Sequence, residues 1–240
     1  MCAHTVADTG PSGDSASMCP EVRLPTPRKT APATVLRLYR IPHSTNAERV
    51  ALALAHKGIA AGSVWVDPSD RSEVRKVSGQ ALVPVLVDGE EVVADSTRIL
   101  EHLEERYPQR PLYPEDTAPR AEMQVFVDWF NRVWKVPPNA IAAELVKAKP
   151  NQRRLAGWGA ELAGRLDLFE RLLEDRGHLL GEDFSAADCV AFPFLKYAAL
   201  PLPDGDDELF HQVLRDHQPL GDTHPRLENW IRRVDARPRA

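Results

Sequence analysis

Val35-Leu36-Arg37-Leu38-Tyr39-Arg40-Ile41-Pro42-His43-Ser44-Thr45-Asn46-Ala47-Glu48-Arg49-Val50 changes its period halfway along. Residues 35–39 alternate as a half-buried strand does. Pro42 stops that pattern, since its ring removes a backbone donor. From Thr45 onward, Ala47, Val50, Ala51, Leu54 and Ala55 fall on one helical face, and Gly58 stands where a helix C-cap is expected. A strand handing over to a helix through a short polar turn begins an α/β unit.

Working outward from this stretch, residues 62–66 alternate as a second strand, and 70–77 suit one short helix with Asp70 as N-cap. Val83-Pro84-Val85-Leu86-Val87 and Glu91-Val92-Val93-Ala94 flank Asp88-Gly89, a strong hairpin signal. Asp95 then caps a helix with Ile99, Leu100 and Leu103 inside, ending near Tyr107-Pro108. The order βαβαββα predicts a mixed four-stranded sheet with helices packed on it.

Pro108, Pro111 and Pro114 mark a linker, and past it strand signals vanish. Met123, Phe126, Val127, Phe130 and Trp134 recur at helical spacing within 121–147, where Pro137-Pro138 should kink or break the helix. Leu155, Trp158, Leu162, Leu166, Phe169 and Leu173 form a second long stripe, ended by Gly177 and Gly181. Residues 185–200, 207–216 and 225–234 read as further helices. The expected division is a tail over 1–33, an α/β domain over 34–108, a linker over 109–116 and an all-helical domain over 117–240.

The tail is rich in Pro, Ser, Thr, Ala and Gly, too poor in apolar residues to offset its ordering entropy, and is expected to be disordered. The formal net charge of -5 leaves no basic footprint for nucleic acid or an anionic membrane. No apolar run nears the roughly 20 residues a membrane span needs. The three cysteines, Cys2, Cys19 and Cys189, form no CxxC, and the eight histidines show no metal-ligand spacing. No metal site is expected, and a reducing, cytoplasmic setting is.

Four pieces, in this order across the switch from α/β to α, resemble the cytosolic-type glutathione transferase family. They are the strand-loop-helix from Leu38 to Val50, Leu82-Val83-Pro84-Val85-Leu86, Ala94-Asp95-Ser96-Thr97-Arg98-Ile99-Leu100, and Phe184-Ser185-Ala186-Ala187-Asp188. The resemblance spans about 35–235. It implies a thioredoxin-like domain that binds glutathione as co-substrate, a helical domain that binds an apolar electrophile, a role in detoxification and a homodimer.

Ser44 sits five residues before Arg49, as the hydroxyl or thiol does in the serine- and cysteine-using classes, and the resemblance makes it the catalytic residue. Physically, a helix mouth offers unpaired N–H groups and partial positive charge, which favour a thiolate. A hydroxyl there adds a charge-assisted hydrogen bond of about 1.5–3 kcal/mol, or roughly one to two pKa units. Ser and Thr are equally preferred as plain N-caps. Tyr39 is the alternative thiol partner, as some classes place a tyrosine at the end of this strand.

A proline opening a buried strand makes sense if Val83-Pro84 is cis, which the resemblance implies; the Val83 backbone would then pair with the cysteinyl backbone of glutathione like an added strand. Asp95 and Ser96 open a helix, a ready anion site for the γ-glutamyl end. Gln80 is the candidate for the glycine end. Ser185 and Asp188 read as a structural capping box, and Cys189 as an inert core thiol. Phe130, Trp134 and Tyr197 are candidates for the apolar-substrate pocket, though each equally suits a core.

The expected function is thiol activation for attack on an electrophile. The alternative is a non-catalytic ligand carrier or adaptor on the same fold. A thiol-disulfide reductase would need a cysteine at position 44.

Overall fold

A computed structural model describes residues 36–240. The expected disordered tail, with Cys2 and Cys19, lies outside the described residues.

Strand β1 (Leu36–Arg40) pairs in parallel with β2 (Ala61–Trp65), placing Leu38 opposite Ser63. On its other side β1 runs antiparallel to β3 (Val85–Asp88), with Leu38 opposite Leu86. The last strand, β4 (Glu91–Ala94), runs antiparallel to β3. The sheet order is β2-β1-β3-β4, the mixed four-stranded sheet that the alternation implied. The hairpin turns on Gly89-Glu90, one residue later than expected, because Asp88 still pairs with Glu91. Gly89 has φ +65°, a conformation that costs glycine little.

The alternation of β1 divides its side chains between two clusters. Leu36 and Leu38 enter the large core with α1 (Thr45–Lys57) and α3 (Ser96–Arg106). Tyr39 turns to the opposite face, among Val66, Val85, Val87 and Val74 of α2 (Ser72–Ser78). Helix α1 ends as its sequence demands: Gly58 has φ +70°, and the N–H groups of Gly58 and Ile59 donate to Ala55 and Leu54. At α2 the cap differs from expectation. Arg71 holds the N-cap position without a side-chain bond, while Asp70 Oδ1 accepts from the Ser72 N–H at 2.9 Å.

The chain continues as α4 (Thr117–Trp129), α5 (Val136–Leu145), α6 (Gln152–Gly164), α7 (Leu166–Leu172), α8 (Ala186–Leu195), α9 (Leu209–Asp216) and α10 (Pro225–Asp235). Each of the two expected long helices is divided. Between α4 and α5 lies a π turn, Phe130–Trp134, in which the Lys135 N–H donates to the Phe130 carbonyl five residues back. Pro137 and Pro138 have no N–H to return to the carbonyls of Val133 and Trp134. The Val133 carbonyl instead accepts from Arg165 Nη1 at 2.7 Å. Between α6 and α7 the ladder tightens, with the Arg165 N–H reaching Leu162 three residues back. Gly159 lets α6 approach α9: a Cβ there would lie 2.6 Å from the His217 ring.

Helix α8 is buried along its whole length and packs on α1. The expected capping box is present, and Asp188 is its anchor. This fully buried carboxylate accepts from the N–H groups of Ser185 and Leu179, at 2.9 and 3.3 Å. It also accepts from Trp230 Nε1 on α10, at 2.7 Å. One apolar cluster runs from Leu36 and Leu38, through Val50 and Leu100, to Phe130, Val190 and Trp230, so sheet and helices share a core.

Candidate active site

Two helix mouths, those of α1 and α3, face one cleft of about 670 Å³. The residue ahead of each helix's opening turn holds a backbone conformation unusual for a non-glycine residue: His43 has φ +57° and Asp95 has φ +79°. Such conformations cost about 1–3 kcal/mol each and cluster at functional sites. The Val83-Pro84 bond between them in sequence is cis. Neither the N–H nor the C=O of Val83 has a backbone partner among the described residues.

Five residues singled out from the sequence, Gln80, Val83, Pro84, Asp95 and Ser96, line this cleft together. Asp95 spends its carboxylate on the α3 cap, accepting from the N–H groups of Thr97 and Arg98 at 2.8 and 3.2 Å. Gln80 uses its amide locally, with Nε2 donating to the Leu82 carbonyl at 2.8 Å and Oε1 accepting from the Leu82 N–H. Ser44 is the N-cap of α1, and its Oγ accepts from the Ala47 N–H at 3.2 Å. That bond occupies a lone pair and leaves the hydroxyl proton free to donate. Ser44 comes two residues before the cleft-lining Asn46 in sequence and is not itself part of the lining.

Tyr39 is buried on the opposite face of the sheet from Leu38, in a cluster against which the cleft-lining Val83 and Ala94 pack, and does not itself line the cleft. Phe130, Trp134 and Tyr197 are also buried, and none lines the cleft. Phe130 and Trp134 stack at 4.4 Å behind it; Tyr197 stacks on His211 at 4.9 Å. The helical side of the cleft is polar instead, made by Asp128, Asn131, Arg132 and Lys135.

The sequence reading missed the cleft's electrostatics. Arg49 is 1% exposed. Its Nη1 donates to Asn131 Oδ1 at 2.9 Å and reaches Ser96 Oγ at 3.4 Å, while Nε and Nη2 have no partner among the described residues. Asn131 in turn donates to Thr97 Oγ1 at 3.0 Å, tying α1, α3 and the π turn together. The guanidinium lies over the Phe194 ring at 4.7 Å. Burial pushes Arg49 down to about 9, against the pull of Asp95, so it stays charged at neutral pH.

Lys135 follows the π turn. Its Nζ donates to Asn46 Oδ1 at 3.0 Å and lies 4.4 Å over the Phe194 ring. Burial and then the Arg49 charge push its ammonium down to about 6, with Asp95 opposing. The available signals were an arginine on the buried side of α1 and a proline pair just after Lys135. Neither reveals a cleft without the fold.

Taken together, the mixed sheet, the cis-proline edge and the joined helices define a thioredoxin-like protein with a helical second half. The family model described as glutathione S-transferase, N-terminal domain, matches residues 38–111, and the one described as glutathione S-transferase, C-terminal domain, matches 151–233. Glutathione S-transferase Z1 of Arabidopsis thaliana is 41% identical over 166 residues, covering 66% of this chain and 75% of that protein. Pyrimidodiazepine synthase of Drosophila melanogaster is 28% identical over 212 residues, 85% of this chain and 78% of that one. A glutathione S-transferase structure from Rhodospirillum rubrum F11 superimposes with a TM-score of 0.66 at 27% identity, over 85% of this chain and 89% of that chain. The chain belongs to the glutathione S-transferase family and is a glutathione transferase-like enzyme.

Proposed function

We propose that this enzyme binds glutathione along the Val83-Pro84 edge and activates its thiol at the mouth of α1 for attack on an electrophile. The observation that carries this reading is the shared cleft. An unpaired backbone edge, a capped helix N-terminus at Asp95-Ser96 and the α1 mouth beside Ser44 all open on one space. The γ-glutamyl end would meet Ser96 and the α3 terminus, and the cysteinyl backbone would pair with Val83. Gln80 would approach the glycine end, with its amide already engaged by Leu82. The Ser44 hydroxyl would donate a hydrogen bond to the thiolate and keep its proton. Residues 34–108 would carry the glutathione side, 109–116 the link, and 117–240 the electrophile side.

Apolar contact with the electrophile would come from Leu82, Val83, Pro84 and Ala94, since the aromatic candidates lie behind the wall. By family likeness the working unit would be a homodimer with a role in detoxification. Three cysteines without a CxxC favour a reducing, cytoplasmic setting. No described helix is long and apolar enough to cross a membrane.

The test compares wild type with Ser44→Ala, using glutathione and a generic chlorinated aromatic. Losing one charge-assisted hydrogen bond of about 1.5–3 kcal/mol should lower kcat/KM roughly 10- to 150-fold at neutral pH. It should also raise the pKa of the bound thiol by about one to two units. If wild type neither binds glutathione nor turns over an electrophile, the ligand-carrier reading replaces this one.

A further inference from the structure

Lys135 is an amine in an unusual place. The i→i+5 bond from its N–H to Phe130 sets it at the close of the π turn. Its Nζ sits 3.0 Å from Asn46 Oδ1, in the first turn of α1, two residues past Ser44. It shares the cleft with Pro84 and Ser96, where a bound thiol would lie. No carboxylate pairs with it among the described residues.

We propose that Lys135 is the proton acceptor for the glutathione thiol: Nζ, anchored on Asn46, takes the S–H proton while the Ser44 hydroxyl donates a hydrogen bond to the sulfur. This rests on the glutathione reading above and adds the base that reading lacks. Ser44 can stabilise a thiolate, but a hydroxyl already accepting from Ala47 is no sink for a proton near pH 7.

The charges around Nζ bear this out. Arg49 on α1 repels the ammonium, and Asp95 before α3 attracts it. Phe194 of α8 lies beneath it, and Arg132, one turn back, lines the same cleft. The balance, with burial, favours the free amine at neutral pH. One N–H then holds Asn46, and the neutral amine of a residue that lines the cleft carries a lone pair that can accept a proton. Transfer turns an amine and a thiol into an ammonium and a thiolate. The new pair of opposite charges then stabilises itself in a poorly hydrated space. In a substitution, the sulfur forms a bond to carbon, the leaving group departs with its electron pair, and the lysine proton passes to solvent.

The measurement is the number of protons released to solvent per thiolate formed when glutathione binds. Thiolate is read from its ultraviolet absorbance, and protons from binding heats in two buffers of different ionisation enthalpy. Wild type should release close to none well above pH 6, because the proton stays on Lys135. It should release close to one below pH 6, where the amine is already protonated. Lys135→Arg keeps the charge without the lone pair and should release one per thiolate throughout. Lys135→Met should lose on the order of a hundredfold in kcat/KM at neutral pH.

The wild-type count decides the matter whatever the variants do. A full proton released at neutral pH, with glutathione bound and ionised, overturns the proposal and leaves the glutathione reading standing. Absence of glutathione binding overturns both.

Discussion

Asp95 carries two opposed contributions in one residue. Its carboxylate caps α3 by accepting from two backbone N–H groups, which stabilises. Its backbone, at φ +79° and ψ 128°, destabilises. The two separate by substitution. Asp95→Ala loses the cap and keeps a backbone strain the wild type already carries, so it should cost the cap alone, about 1–2 kcal/mol in urea unfolding. Asp95→Gly loses the cap but relieves the backbone, and should cost about 1 kcal/mol or less. Equal losses in the two variants would show that the backbone conformation carries no penalty. The cap itself was legible, because aspartate before an apolar helical face has few other uses. The φ value was not, since nothing local to residue 95 requires it; the close approach of β4 and α3 imposes it. Arg49 and Lys135 were hidden for a similar reason: the partners that define them are far off in sequence.

At the scale of elements, the strands and helices that the hydrophobic period predicts are present, but the two long helices are each divided and some boundaries move by as many as four residues. Gly58 and the Ser185–Asp188 box stand where read because each is a local device that needs only its own turn. The π turn escaped notice because it depends on Arg165, which comes from another helix to satisfy the Val133 carbonyl. The aromatic candidates show the limit of periodicity. Phe130 and Trp134 lie on the inner face as their spacing requires, but a stripe cannot say whether inside means core or pocket. On α8, Asp188 joins three segments through buried hydrogen bonds. Asp188→Ala would strand the donors of Ser185, Leu179 and Trp230, at about 1–3 kcal/mol for each buried group left unpaired. A loss of at least 3 kcal/mol is expected, with kcat falling only as far as folded protein does. A loss under 1 kcal/mol would mean that water reaches these groups.

Across the whole molecule, the sequence suggested a sheet half and a helical half joined by a proline-rich linker. Two family models also match the chain in two pieces. The packing links them tightly: the described residues, 36–240, form one compact unit. Glu48 of α1 pairs with Lys196 after α8 at 2.6 Å and with Arg239 at 3.1 Å. Lys57 reaches Glu104 at 2.7 Å inside the sheet half, with its ammonium buried. A common core should make unfolding a single transition, with near- and far-ultraviolet signals coincident and calorimetric and van't Hoff enthalpies equal. Two resolved transitions would show that the halves hold themselves up separately.

That common core also sets an order in time. Leu227, Trp230, Ile231 and Val234 of α10 are all buried, and a ribosome adds them roughly 190 residues after Leu38. Until they emerge, the apolar cluster that also holds Leu36, Leu38 and Val50 is incomplete. Synthesis at about 5–20 residues per second then leaves a nascent chain with sticky apolar faces for roughly 10–40 seconds. A fold in which β1 waits for α10 is open to chaperone capture during that interval.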